Sequence, residues 1–148
     1  MWTKDYSVRL SVFFTRLFFV ILGLGVLFVP RLVRLFVYYS GKESWLSIAL
    51  PAAFYLCVPL AGVVLWSLER LLAGLSRGEI FTGENILHLR RISWCCFGVA
   101  GVCLGFTLCF FPFLLVSAAA AFMGLILRVI KNVFQQAMAL KEENDYTI

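Results

Sequence analysis

Charge is scarce in this sequence, and what there is avoids long stretches of it. Only 14% of the 148 residues are charged, against 62% that are hydrophobic. A soluble domain carries about 25% charged and about 45–50% apolar residues. From 92 to 127 no charged residue occurs at all. Acid–base groups are fewer still, with eight carboxylates and a single histidine, His88. No C-x-x-C pair occurs among Cys57, Cys95, Cys96, Cys103 and Cys109. One imidazole and five such cysteines give no metal site of the usual spacing and no disulfide framework. No serine or cysteine nucleophile stands beside a histidine with an orienting acid, and no glycine-rich phosphate loop is present. The residues therefore argue against an enzyme and offer no catalytic, cofactor-binding or metal-ligating set. The net charge of +5 does not point to nucleic acid. The basic residues flank apolar runs and form no patch with interleaved aromatics, so no direct nucleic-acid contact is expected.

What is present is a pattern of apolar blocks. Spans are expected at about 8–29, 45–68, 92–111 and 113–131, with a polar elbow at 70–91 and a helix and tail at 132–148. The expected fold class is all-α: a four-helix transmembrane bundle made of two helical hairpins, forming a single integral membrane domain over 1–148. A bilayer core about 30 Å thick needs about 20 apolar residues per helix. The first block is uncharged only over 17–29, so Arg16 must snorkel or face another helix. Pro30 marks the end of that helix or a kink in it. The segment 31–39, with Arg31 and Arg34 three apart and Tyr38 and Tyr39 beyond, reads as interfacial, and 40–43 as a turn. Pro51 and Pro59 predict kinks in the second span.

The charge-free run of 92–127 would be about 54 Å long as one helix, too long for one crossing. It must hold a tight turn, expected at Pro112, with Ser117 as the alternative. Gly98, Gly101 and Gly105 share a stripe whose small-residue spacing suits close helix packing. Packing against the small patch at 118–121 and Gly124 is one use of it; homo-oligomerisation is another. Beyond the fourth span, Val129, Ile130, Val133, Phe134, Ala137 and Leu140 recur at helical spacing. This predicts an amphipathic extension that needs a cover.

Lysine and arginine set the orientation. With the N-terminus inside, the inner side would hold ten of the 13 and the outer side only Arg31, Arg34 and Lys42. Both termini are therefore expected in the cytoplasm. The elbow would then be cytoplasmic too. Within it, Gly78 is expected to stop one helix and Thr82 to cap the next, with Glu84 suited to the helix dipole and Asn85 at the third position. Ile80 and Phe81 would dip into the interface or pack beneath the bundle, and His88 reads as an interfacial surface residue.

The stretch Gly78-Glu79-Ile80-Phe81-Thr82, with Asn85 and Leu89-Arg90-Arg91-Ile92, resembles the elbow of bacterial domain-of-unknown-function family 2975. The ending Leu140-Lys141-Glu142-Glu143-Asn144-Asp145-Tyr146-Thr147-Ile148 resembles that family as well. The resemblance implies a small multi-pass protein of the bacterial plasma (inner) membrane with no assigned reaction, accompanied by small helix-turn-helix regulators. The resulting expectation is a regulatory or sensor protein that docks such a regulator. The docking face would comprise Arg77, Glu79, Phe81, Asn85, Arg90, Arg91, Glu142, Glu143 and Asp145. An oligomeric transport component, or an accessory subunit of a larger membrane complex, is the alternative. The spans lack the buried carboxylates that ion pathways use.

Overall fold

The structure, a computed structural model, describes residues 4–146. It contains four helices: α1 Lys4–Ser40, α2 Leu46–Ser76, α3 Gly83–Phe106 and α4 Phe113–Tyr146. All four are long and apolar enough to cross a membrane. They continue past the expected spans, except that α3 ends at Phe106, short of the expected 111. Helix α1 has 37 residues, about 55 Å at the α-helical rise.

Two expectations are corrected in α1. Pro30 does not end the helix, which runs on to Ser40. Residues 31–39 are therefore the last turns of α1 and form no separate element. One proline removes a single backbone donor, and ten further residues of good helix geometry outweigh that local loss. The chain leaves the helix at Gly41, whose φ of +60° is a left-handed conformation open to glycine. Arg16 takes the second of its two expected roles and faces another helix. Its Nε lies 3.5 Å from Glu69 Oε1 on α2.

Helix α2 carries Pro51 and Pro59 inside it without interruption. It ends in a paired hydrogen-bond motif around Gly78, φ +80°. The Gly78 N–H donates to Leu75 O at 3.1 Å and the Glu79 N–H to Gly74 O at 3.1 Å. This closes the orphan carbonyls of the last turn, which is the job of a left-handed glycine after a helix. The true connection is short, 77–82, because both flanking helices extend into what read as the elbow.

The tight corner between the last two helices occupies 107–112. Pro112 directly precedes α4, where its missing N–H is harmless. Ser117 is inside α4, and its hydroxyl donates to Ala100 O at 2.7 Å. The turn therefore lies at the Pro112 end, and α3 stops at Phe106, five residues before the expected close of the third span at 111.

The helices pack in chain order. Among the described residues, the backbone of each approaches only its sequence neighbours: α1 with α2, α2 with α3, α3 with α4. The bundle is thus open between its first and last helices. Consecutive helices are antiparallel, as the contact pairs Gly25–Phe54 with Arg16–Glu69, Leu60–Gly98 with Gly74–Asn85, and Ser93–Gly124 with Ala100–Ser117 require. The α3–α4 seam is the tightest. There the Ser93 hydroxyl donates to Gly124 O at 2.9 Å, and a Cβ on Gly124 would lie 3.3 Å from Cys96 Cβ. Large apolar side chains face outward along every helix and in the corner between α3 and α4, where Leu108 is 96% exposed. So much continuous apolar surface is stable only against lipid.

Candidate docking face

The elbow is ordered by its own side chains. Thr82 has extended dihedrals, and its hydroxyl accepts from the Asn85 N–H at 3.3 Å, capping α3. The Asn85 side chain then works in the opposite direction. Its amide nitrogen donates to Glu79 O at 2.7 Å and to Ile80 O at 3.0 Å. These carbonyls lie in a connection that has no other regular structure to satisfy them. Asn85 is only 3% exposed and lies against Gly74, where an added Cβ would stand 2.9 Å from Asn85 Oδ1. Gly74 is therefore what lets α2 come close enough for the asparagine to reach both carbonyls.

Phe81 leaves this lock on the far side. Its ring meets that of Phe134 edge-on at 5.4 Å, so the elbow reaches the extension of α4. The expected cover for the apolar stripe is thus supplied in part from within the chain. Val129, Val133 and Leu140 remain exposed on the same helix. The acidic ending continues α4 as helix through Tyr146. Thr147 and Ile148 lie outside the described residues.

The expected docking residues divide into two sets. Arg77, Glu79, Phe81, Arg90, Arg91, Glu142, Glu143 and Asp145 are exposed. Arg77 Nε also donates to Ala73 O at 3.3 Å, which holds it to the end of α2. Asn85 is buried inside the elbow, with its amide already spent on two carbonyls. It organises the face and offers no surface to a partner.

The glycines also separate. Gly98 faces α2, where an added Cβ would be 3.2 Å from Leu60 Cδ1. Gly101 and Gly105 have no atom within 4 Å of such a Cβ. The close approach of α3 to α4 is made by Gly124 against Cys96 and Phe97. The glycine stripe on α3 is thus not the seam of its hairpin; one member packs on α2 and two face outward.

His88 is where the sequence reading was furthest off. It is 5% exposed. Trp66 of α2 packs its ring edge-on to the imidazole at 5.9 Å, and Arg70 lies over the same indole at 5.6 Å. The Nε2 atom is 3.7 Å from Glu84 Oε1, and neither ring nitrogen has a hydrogen bond. The hydroxyl of Ser67 on α2 is likewise fully buried without a hydrogen bond. A signal for this existed: Asn85, His88, Leu89 and Ile92 follow the i, i+3, i+4, i+7 pattern of one helix face, and all are buried. Two polar members disguised the stripe. Elsewhere at this end, Arg128 lies over the Trp94 ring at 5.5 Å. Arginine on tryptophan is apt at the edge of a bilayer, where an aromatic plane shields part of the guanidinium while its rim stays wet.

Among the described residues, no group of three His, Cys, Asp or Glu side chains could hold a metal. The family model described as protein of unknown function, DUF2975, matches residues 26–148. The chain belongs to this family. The DUF2975 match takes in the last part of α1, the whole elbow and all of α4. No curated protein and no solved structure matches the chain.

Proposed function

We propose that this DUF2975 member is a membrane-embedded regulatory or sensor protein that holds a small basic partner on its elbow side. The observation that carries the reading is the Phe81–Phe134 contact at 5.4 Å. It joins the elbow, the exposed apolar residues of the α4 extension and the acidic helix end on one side of the bundle. Arg77, Arg90 and Arg91 frame this face from the elbow, while Glu142, Glu143 and Asp145 give its far end the opposite sign. Such a pattern fixes the orientation of a partner more than it adds affinity. The lysine and arginine distribution supports a cytoplasmic position for the face and for both termini. The family resemblance suggests the bacterial inner membrane as the setting and a helix-turn-helix regulator as the partner. A DNA-binding domain is basic on the surface it presents to DNA, so an acidic helix end could compete for it.

The experiment is co-purification from membranes with the regulator encoded beside it, using the full chain and a chain lacking 142–148. Recovery is expected to fall on truncation and to fall further with Phe81→Ala. Equal recovery with both variants would remove this face from the proposal. No recovery with the intact chain would overturn the proposal itself.

A further inference from the structure

The open side of the bundle is not featureless. A cavity of about 550 Å³ runs between α1 and the later helices, lined by Phe18, Gly25 and Val29 of α1, Val64 of α2, Val99 of α3 and Ala120 of α4, among others. None of its lining residues carries a charge, an amide or a hydroxyl. From Phe18 to Val29 it follows α1 for about 16 Å, close to half the hydrocarbon thickness of a bilayer. It exists because α1 is held by α2 alone, leaving a gap that no backbone closes.

About 10 Å beyond the last α1 residue that lines the cleft, the same helix carries a cationic cluster. Phe36 lies seven residues beyond Val29, on the same face of α1. Its ring meets Phe110, in the α3–α4 corner, edge-on at 6.4 Å. Over this pair sits the Lys42 ammonium, 4.8 Å from the centre of Phe110 and 5.7 Å from that of Phe36. Glu43, the acid next to it in sequence, accepts the indole N–H of Trp45. Among the described residues Lys42 forms no ion pair, and its charge sits against the two ring faces.

We infer that this cleft is a binding site for one phospholipid, with an acyl chain between α1 and α4 and the headgroup phosphate on Lys42. An occupant with hydrogen-bonding groups along its length would find no partner in the lining, whereas an acyl chain needs none. The opening faces the hydrocarbon, where acyl chains are the solvent. The cation at the end away from the elbow matches an anionic head. The site does not depend on the docking face, and its cation lies at the opposite end of the bundle.

The test is native mass spectrometry of the full chain in mild detergent, titrated with dioleoyl phosphatidylglycerol and, separately, dioleoyl phosphatidylcholine. One bound phosphatidylglycerol per chain is expected. Lys42→Gln should weaken phosphatidylglycerol about fivefold, the worth of one interfacial cation, and weaken phosphatidylcholine less, because its choline offsets the phosphate charge. Ala61→Phe and, independently, Ala120→Leu fill the cleft and should weaken both lipids about tenfold, the equivalent of losing about two buried methylenes. Circular dichroism checks that each variant keeps its helices. Unchanged binding in a folded cleft-filling variant would overturn the site. So would phosphatidylglycerol binding indifferent to Lys42, which marks non-specific annular lipid. A lipid-free dimer would also overturn it, by showing that a second copy closes the gap.

Discussion

At the scale of single residues, Asn85 carries the most structural weight for its size. It has only one side-chain NH2, and both protons go to carbonyls of the connection between α2 and α3. Asn85→Asp keeps the shape and removes both donors, leaving two partly buried acceptors facing a carboxylate. We expect a loss of about 1–3 kcal/mol, the usual penalty for unpaired buried polar groups. The measurement is the midpoint of thermal unfolding in detergent, together with faster amide exchange across 77–82. His88 should behave in the opposite way. Its two ring nitrogens are buried without hydrogen bonds, so the desolvation they suffer is not returned. His88→Phe retains a flat ring against Trp66 and removes that penalty, and the unfolding midpoint should hold or rise. A clear fall would reveal a polar partner for the imidazole. Arg16 and Glu69 matter less, since their side chains are 71% and 39% exposed and such pairs contribute at most about 1 kcal/mol.

At the scale of elements, Gly101 and Gly124 of the last hairpin make a sharp comparison. Gly101→Leu meets open space on the outer face of α3 and should change stability by no more than about 1 kcal/mol. Gly124→Leu drives a side chain into Cys96 and Phe97 across the tightest seam and breaks the approach that lets Ser93 reach Gly124 O. A loss of at least about 1–3 kcal/mol is expected from overpacking. Parallel unfolding curves of the two variants decide the matter; equal effects would mean that Gly101 packs against a second copy. The elbow and the α4 extension form the other such pair. Phe81→Ala removes an edge-on ring contact worth about 1 kcal/mol and should free the connection from α4. Limited proteolysis should then cut at Arg77 more readily than in the unaltered chain.

At the scale of the whole molecule, packing in chain order has two consequences. The first is the gap beside α1, which needs lipid to fill it. The second is that three antiparallel hairpin contacts with four crossings return the chain to the side from which it started. Reporter fusions at the two termini should therefore be accessible from the same side, and the 10:3 partition of basic residues predicts the cytoplasmic one. A reporter active only from outside at the C-terminus would refute this topology. Stability of such an arrangement falls mainly on α2 and α3, which each pack on two neighbours, while α1 and α4 each pack on one.

The sequence alone was enough for the class of fold, the number of crossings, the helix stop at Gly78, the cap at Thr82 and the helical continuation of α4. These follow from local chemistry: apolar length against bilayer thickness, a left-handed glycine, a hydroxyl one residue before a helix, and 3.6-residue periodicity. It did not determine which faces met. Pro30 looked like a stop because a proline's local penalty is visible in sequence and the packing that overrides it is not. Gly101 and Gly124 are the same residue type in similar apolar runs, and only the packing of α3 on its two neighbours decides which one is buried. His88 and Asn85 read as surface because they are polar. Trp66 and Gly74, more than ten residues away on α2, cover one and make room for the other. Contacts between helices depend on how the helices rotate against each other, and that rotation is set by side chains distant in the chain.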